Sequence, residues 1–185
     1  MNNRKTNIVV LVGVLSALAF VLYFLEFPLA FLFPAFLKID FSDVPAILGG
    51  IAAGPLVGTA IELIKNILHF LLISKEPMAS GEIANFFAGT SFLIPVAIMI
   101  RSREKFSKWP YFILPYVVAT LISTTIINII NYFVTLPLYG LESEARLPMI
   151  ISSLIPFNIL KGILVSAVTI LLYSKLKGFI SKYVR

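Results

Sequence analysis

Apolar runs that continue for about 20 residues without alternating leave this chain few ways to fold. In hydrocarbon every backbone N–H and C=O must be satisfied by a helix or a closed barrel, and unalternating runs exclude the barrel. An all-α membrane bundle is the expectation. Composition agrees, since 13% of the residues are charged and 59% hydrophobic, whereas soluble domains carry about 25% charge. The 185 residues are read as one transmembrane domain, 1–185, with no room for a large catalytic domain beside it. A net charge of +6 needs no nucleic-acid partner, because the basic residues fall mainly on one side of the membrane. Cysteine is absent, so neither a disulfide nor a thiolate metal site can form.

Six transmembrane helices are expected. Ile8–Leu25 is the first. Its small-x-small site, Ala17-Leu18-Ala19, lies inside the apolar run rather than after it, so the segment reads as a retained span. Asp43–Ala53 would rise only about 16 Å as a helix, short of the roughly 30 Å hydrocarbon core. Charge decides whether it crosses. If it does, turning at Gly54-Pro55 into Leu56–Leu72, then Glu82–Ile100, Pro110–Leu136 and Pro148–Tyr173 complete the set. With the N-terminus inside, the connector with Arg101, Arg103, Lys105 and Lys108 is inside, as is the tail with Lys175, Lys177, Lys182 and Arg185. Lys38, Lys75 and Arg146 are then outside. If the short segment does not cross, both basic clusters land outside, against the positive-inside bias. The chain is thus read as a multi-pass plasma-membrane protein with both termini cytoplasmic, the short span's mismatch being absorbed locally.

Between the first two spans, Glu26–Ser42 (EFPLAFLFPAFLKIDFS) is too apolar for a solvated loop and is broken by Pro28 and Pro34. It reads equally as a lid over the bundle and as a set of aromatic interface anchors. Ser74–Gly81 and Leu138–Leu147 read as polar outer loops. No internal repeat of the kind common in self-sufficient secondary transporters is evident.

Polarity concentrates from Asp40 to His69, DFSDVPAILGGIAAGPLVGTAIELIKNILH, and on three later helices. Asn128 and Asn131, three residues apart, share a face of the fifth span; Asn158 and Lys161 do so on the sixth, and Glu82 and Asn85 on the fourth. The expected topology brings these sets together in the outer half of the bundle, with His69 near the same end and Glu62 and Lys65 deeper. A mid-span lysine costs about 2.5–3.5 kcal/mol on insertion scales, so it should face a cavity or a partner.

Plainer roles stand beside these. Glu62 and Lys65 are spaced for a structural ion pair. His69 reads as a capping or hydrogen-bonding residue, with no second His or Cys to complete a metal site. Ser and Thr in such helices commonly bond their own backbone. Asn128, Asn131 and Lys161 can either join helices or contact a ligand. Gly13, Ser16, Ala17 and Ala19 can simply allow close helix packing.

Several chemistries are missing. There is no G-x-x-x-x-G-K-[ST] phosphate loop, no G-x-S-x-G elbow and no H-E-x-x-H pair. One histidine and scattered carboxylates make a weak acid–base case, so the chain is expected not to be an enzyme. Amides, hydroxyls and an amine instead suit recognition of a largely uncharged molecule with donors and acceptors. Sixteen Phe and seven Tyr can wall in a flat ring. Uphill import would draw its energy from another protein.

The DFSDVP…GP…E-x-x-K-N pattern resembles the second and third helices of riboflavin-specific S components (RibU type) of energy-coupling factor (ECF) vitamin transporters. Length, six spans and a basic tail extend the likeness over essentially the whole chain. The resemblance implies a subunit that captures vitamin from outside and docks on a transmembrane T component carrying two cytoplasmic ATPases. It also implies that the first connection is a lid. An Ala-x-x-x-Ala contact for the T component has its nearest counterpart in Gly13-x-x-x-Ala17. For riboflavin, carried as ligand and not as a cofactor, Asn85, Asn128, Asn131 and Lys161 are the first expected contacts, with Asn158 and Asp40 behind them. Other vitamins or FMN remain alternative ligands, and an intramembrane enzyme or a structural bundle protein an alternative class.

Overall fold

The computed structural model describes residues 3–74, 77–102 and 111–180. Lys75, Arg103, Lys105, Lys108, Pro110, Lys182 and Arg185, and the Lys177 side chain, lie outside the described set. Helix α1 is Asn3–Phe24, α2 is Asp43–Ala53, α3 is Pro55–Leu72 and α4 is Ser80–Ser102. Helix α5 runs Leu114–Ile130 and continues through a π-helical turn, Asn131–Thr135, into Leu136–Leu138. Helix α6 starts as Ser143–Met149, passes a second π-helical turn, Ile150–Leu154, and continues as Ile155–Ile180. Five of these are long and apolar enough to cross a membrane; α2, at 11 residues, is shorter. The chain is therefore an all-α, multi-pass membrane bundle.

Length does not make α2 peripheral. Every residue from Asp43 to Ala52 is buried, and the helix packs against α1, α3, α4 and α6. Walled in on all sides, it never has to match the thickness of lipid by itself. Glycine makes this possible. Gly54 takes φ +115° at the turn into α3, a conformation side chains rarely adopt, and Pro55 opens α3 with no N–H to satisfy. At Gly58 a Cβ would stand 2.8 Å from the Ala46 carbonyl and 2.9 Å from Leu93. Backbones of α2 and α3 therefore meet with nothing between them.

Ile47, Ile51, Ile61, Leu93, Val96 and Val165 fill the main core. Outward faces carry exposed apolar side chains such as Val9, Val14, Leu56 and Phe133, as a surface that meets lipid requires. Glu26–Ser42 is non-helical, as Pro28 and Pro34 dictate, and forms a minimal antiparallel ribbon pairing Phe27 with Ile39 and Pro28 with Lys38. Leu37 and Ile39 of the ribbon join Leu136, Ile150, Leu154 and Phe157 in a second core at one end of the bundle. At the opposite end Arg101 donates to the Ile51 and Ala52 carbonyls at 2.9 and 2.8 Å.

Several boundaries differ from expectation: α1 starts at Asn3 rather than Ile8, and α6 runs to Ile180 rather than Tyr173. The loop expected over Leu138–Leu147 gives way to helix from Ser143, five residues before Pro148. Glu144, read as a loop charge, lies in that helix's first turn, where a carboxylate complements the helix dipole. Gly58→Ala is expected to destabilise the bundle by about 1–3 kcal/mol through overpacking, read as a lower thermal midpoint in detergent.

Candidate functional site

At the ribbon end the bundle encloses a cavity of about 770 Å³, counting the part open to solvent. Helix α1 contributes Tyr23, the ribbon segment Glu26, Phe36, Lys38 and Asp40, and α3 His69. Glu82 and Asn85 come from α4, Asn131 and Thr135 from α5, and Phe157, Asn158 and Lys161 from α6. Five of the six residues expected at a ligand site, Asp40, Asn85, Asn131, Asn158 and Lys161, thus line one space.

Asp40 is its electrostatic centre. Its Oδ2 accepts from Lys161 Nζ at 2.8 Å and from Asn85 Nδ2 at 3.2 Å. Its Oδ1 accepts from the Ser42 backbone N–H at 2.9 Å and from the Ser42 hydroxyl. Burial alone would push this carboxyl up; the ammonium groups of Lys161 and Lys65 outweigh it and hold it well below the usual carboxylate range. The Glu62–Lys65 pair is present deeper, at 2.8 Å.

Two further pairs went unread in the sequence. His69 Nδ1 meets Glu82 Oε1 at 2.7 Å, and its ring stacks on Tyr23 with centroids 3.8 Å apart and planes 12° from parallel. Lys38 meets Glu26 at 2.5 Å across the ribbon. Each partner was visible alone; the pairings join residues 12 and 13 apart on separate elements, and no local pattern announces them. Among the described residues, every cationic or basic side chain lining the cavity is therefore engaged by a carboxylate.

Asn128 does not line the cavity. Its Nδ2 bonds the Thr124 carbonyl one turn back, at 2.7 Å. The reason is local: the cavity-facing row is Ile127, Asn131 and Thr135, each four residues from the next. Leu114–Ile130 is regular α-helix, in which the residue four before Asn131 lies nearer its face than the residue three before, so Ile127 and not Asn128 reaches the cavity. Asn131 Oδ1 accepts from the Thr135 hydroxyl. Asn85 Oδ1, Asn158 Nδ2 and His69 Nε2 are buried with no hydrogen-bond partner among the described residues, leaving an acceptor, a donor and an imidazole nitrogen for a ligand. Gly13 and Ala17 are exposed on α1, whose Ser16, Ala19 and Tyr23 are buried.

A membrane bundle with a polar, aromatic-walled cavity at one end defines the class: an integral-membrane protein built to hold a small solute. Residues 7–173 match the family model "ECF transporter, substrate-specific component". The chain belongs to the substrate-specific (S) components of ECF transporters. It is 39% identical to "Riboflavin transporter RibU" of Staphylococcus aureus (strain TCH60), over 98% of this chain and 96% of that one. With "Riboflavin transporter FmnP" of Bacillus subtilis (strain 168) it shares 37% identity, covering 96% of each. It also superposes, at TM-score 0.81 and 39% identity, on the structure described as "Structure and mechanism of the S component of a bacterial ECF transporter". That match covers 95% of this chain and 98% of the other.

Asp40→Asn should destabilise the protein by about 3–5 kcal/mol, since it leaves the buried Lys161 ammonium without its nearest counter-charge. Because the folded-state carboxyl titrates below 3.8, this stabilisation is complete above that value and is lost as pH falls below it. The gap in thermal midpoint between wild type and variant should therefore stay constant from about pH 5 to about pH 8.

Proposed function

We propose that this S component captures riboflavin from the extracellular side for ATP-driven import by partner subunits, and has no catalytic chemistry of its own. One observation carries the reading. Amide and ammonium groups from α4, α5 and α6 converge with Asp40 on a single cavity, beside the flat faces of Phe36, Phe157 and Tyr23. The pyrimidine edge of isoalloxazine alternates carbonyl acceptors with an N–H, which Asn85, Asn131 and Asn158 can match and Lys161 can supplement. Asn128, off the row that lines the cavity, takes a secondary part. The names of the similar proteins from S. aureus and B. subtilis support this ligand. Charge favours riboflavin over FMN, because each lining cation is already matched by a carboxylate.

The topology proposed has six spans. Helix α2 begins beneath the cavity at Asp43 and ends beside Arg101, at the opposite end of the bundle, which supports a full crossing. The Arg101 end and both termini are placed in the cytoplasm, and the cavity outside, by the positive-inside bias. Glu26–Ser42 then acts as the lid. The small, exposed Gly13-x-x-x-Ala17 face of α1 is proposed as the contact for a transmembrane T component, itself bound to two cytoplasmic ATPases.

Purified protein should be yellow or should quench added riboflavin fluorescence on titration; failure to bind any flavin would favour an intramembrane enzyme or a structural bundle. Asn131→Ala and Lys161→Met should each weaken binding by about tenfold or more. Asn128→Ala should cost clearly less. Equal losses at positions 128 and 131 would contradict the placement.

A further inference from the structure

Lys65 is the largest buried charge that the cavity does not use. It lines no part of the cavity and has no exposure to solvent, yet its ammonium is held by three side chains. It pairs with Asp43 and, at 2.8 Å, with Glu62, and it donates to the Ser42 hydroxyl at 2.7 Å. Two of those partners lead to the cavity. The Ser42 hydroxyl accepts from Lys65 and so is turned to donate onward to Asp40 Oδ1. That fixes the carboxylate with Oδ2 facing Lys161 and Asn85. Asp43, gripping Lys65 through one oxygen, has the other 3.8 Å from Lys161.

We infer that Lys65 is a positioning residue for the ligand cavity: through Ser42, Asp43 and Asp40 it sets where the Lys161 ammonium and the Asn85 amide point. The inference rests on the ligand reading above and deepens it. Three carboxylates, Asp40, Asp43 and Glu62, are interleaved with two ammonium groups, and Tyr23 stacks its ring 5.7 Å from Lys65 Nζ. The cluster has little freedom to relax sideways. On α4, a Cβ at Gly89 would stand 2.6 Å from Glu62 Oε2, so this carboxylate lies directly against helix backbone. Without Lys65, three carboxylates would surround the single ammonium of Lys161. Asp43, already within reach, would draw it away from the cavity.

Riboflavin titration of the full chain in detergent tests this. Lys65→Met should weaken binding by about tenfold or more. Adding Asp43→Asn should recover part of the loss, because it removes the surplus carboxylate beside Lys161. Ser42→Ala removes only the link and should fold where Lys65→Met does not; it should weaken binding by about threefold or more. A thermal double-mutant cycle between Lys65→Met and Lys161→Met, read without flavin, should be non-additive. Wild-type affinity in both Lys65→Met and Ser42→Ala would overturn the inference. So would a loss that Asp43→Asn does not relieve, or an additive cycle. Wild-type protein that binds no riboflavin would instead overturn the ligand reading, and the cycle would still decide the coupling.

Discussion

An ammonium group sealed from water costs several kcal/mol unless opposite charge surrounds it. Here Lys65 on α3, fully buried, and Lys161 on α6, largely buried at the cavity wall, are both answered from the four residues Asp40–Asp43. That segment lies at the start of α2, so the ion cluster ties three helices and the ribbon to one point. The far end of α2 is tied as well. Its last carbonyls, which an α-helix leaves unpaired, take the Arg101 guanidinium, a cation where the helix dipole favours one. An 11-residue helix anchored by charge at both ends can occupy the middle of a bundle whose other members are 18 residues or longer.

The same cluster shapes the cavity's chemistry. Asp40 satisfies Lys161 and Asn85 through one oxygen, yet Asn85 Oδ1 and Asn158 Nδ2 remain buried without protein partners among the described residues. Leaving such groups unpaired costs about 1–3 kcal/mol each. A ligand that supplies the complementary donor and acceptor recovers that cost, and one that lacks them does not. Selectivity then arises from amides whose positions are fixed by charges, while the charges themselves are spent on one another.

Much of this was legible in the chain. Continuous apolar runs gave the helices, because hydrocarbon permits little else, and the Gly54-Pro55 break gave the α2–α3 corner. Residues three apart on one helix gave most of the polar set, since Asn158 with Lys161 and Glu82 with Asn85 do share a cavity. What escaped was contact between distant elements. Nothing local to His69 names Glu82 as its partner or Tyr23 as its stacking surface, and nothing local to Lys38 names Glu26. The start of α6 escaped for another reason: Glu142, Glu144 and Arg146 look like a solvated loop, but charges of this kind also suit the exposed first turns of a helix.

The two π-helical turns show how the cavity obtains its register. In α5 the Leu136 N–H reaches back to the Asn131 carbonyl, and in α6 the Ile155 N–H reaches back to that of Ile150. Each of these five-residue bonds is made by the residue immediately before a proline, Pro137 or Pro156. A proline has no N–H for the residue four back and crowds its carbonyl, Phe133 in one helix and Ser152 in the other. Both carbonyls lie inside the π-helical turns, where the wider winding relieves that crowding. The cost of two prolines in membrane helices is thereby converted into a change of face. On α5 the turn directs Asn131 and Thr135 together into the cavity, and on α6 it precedes Phe157, Asn158 and Lys161. Apolar helices with regular winding could bury the same side chains, but the Phe133 and Ser152 carbonyls would stay crowded by Pro137 and Pro156, and the residues beyond each turn would face a different way.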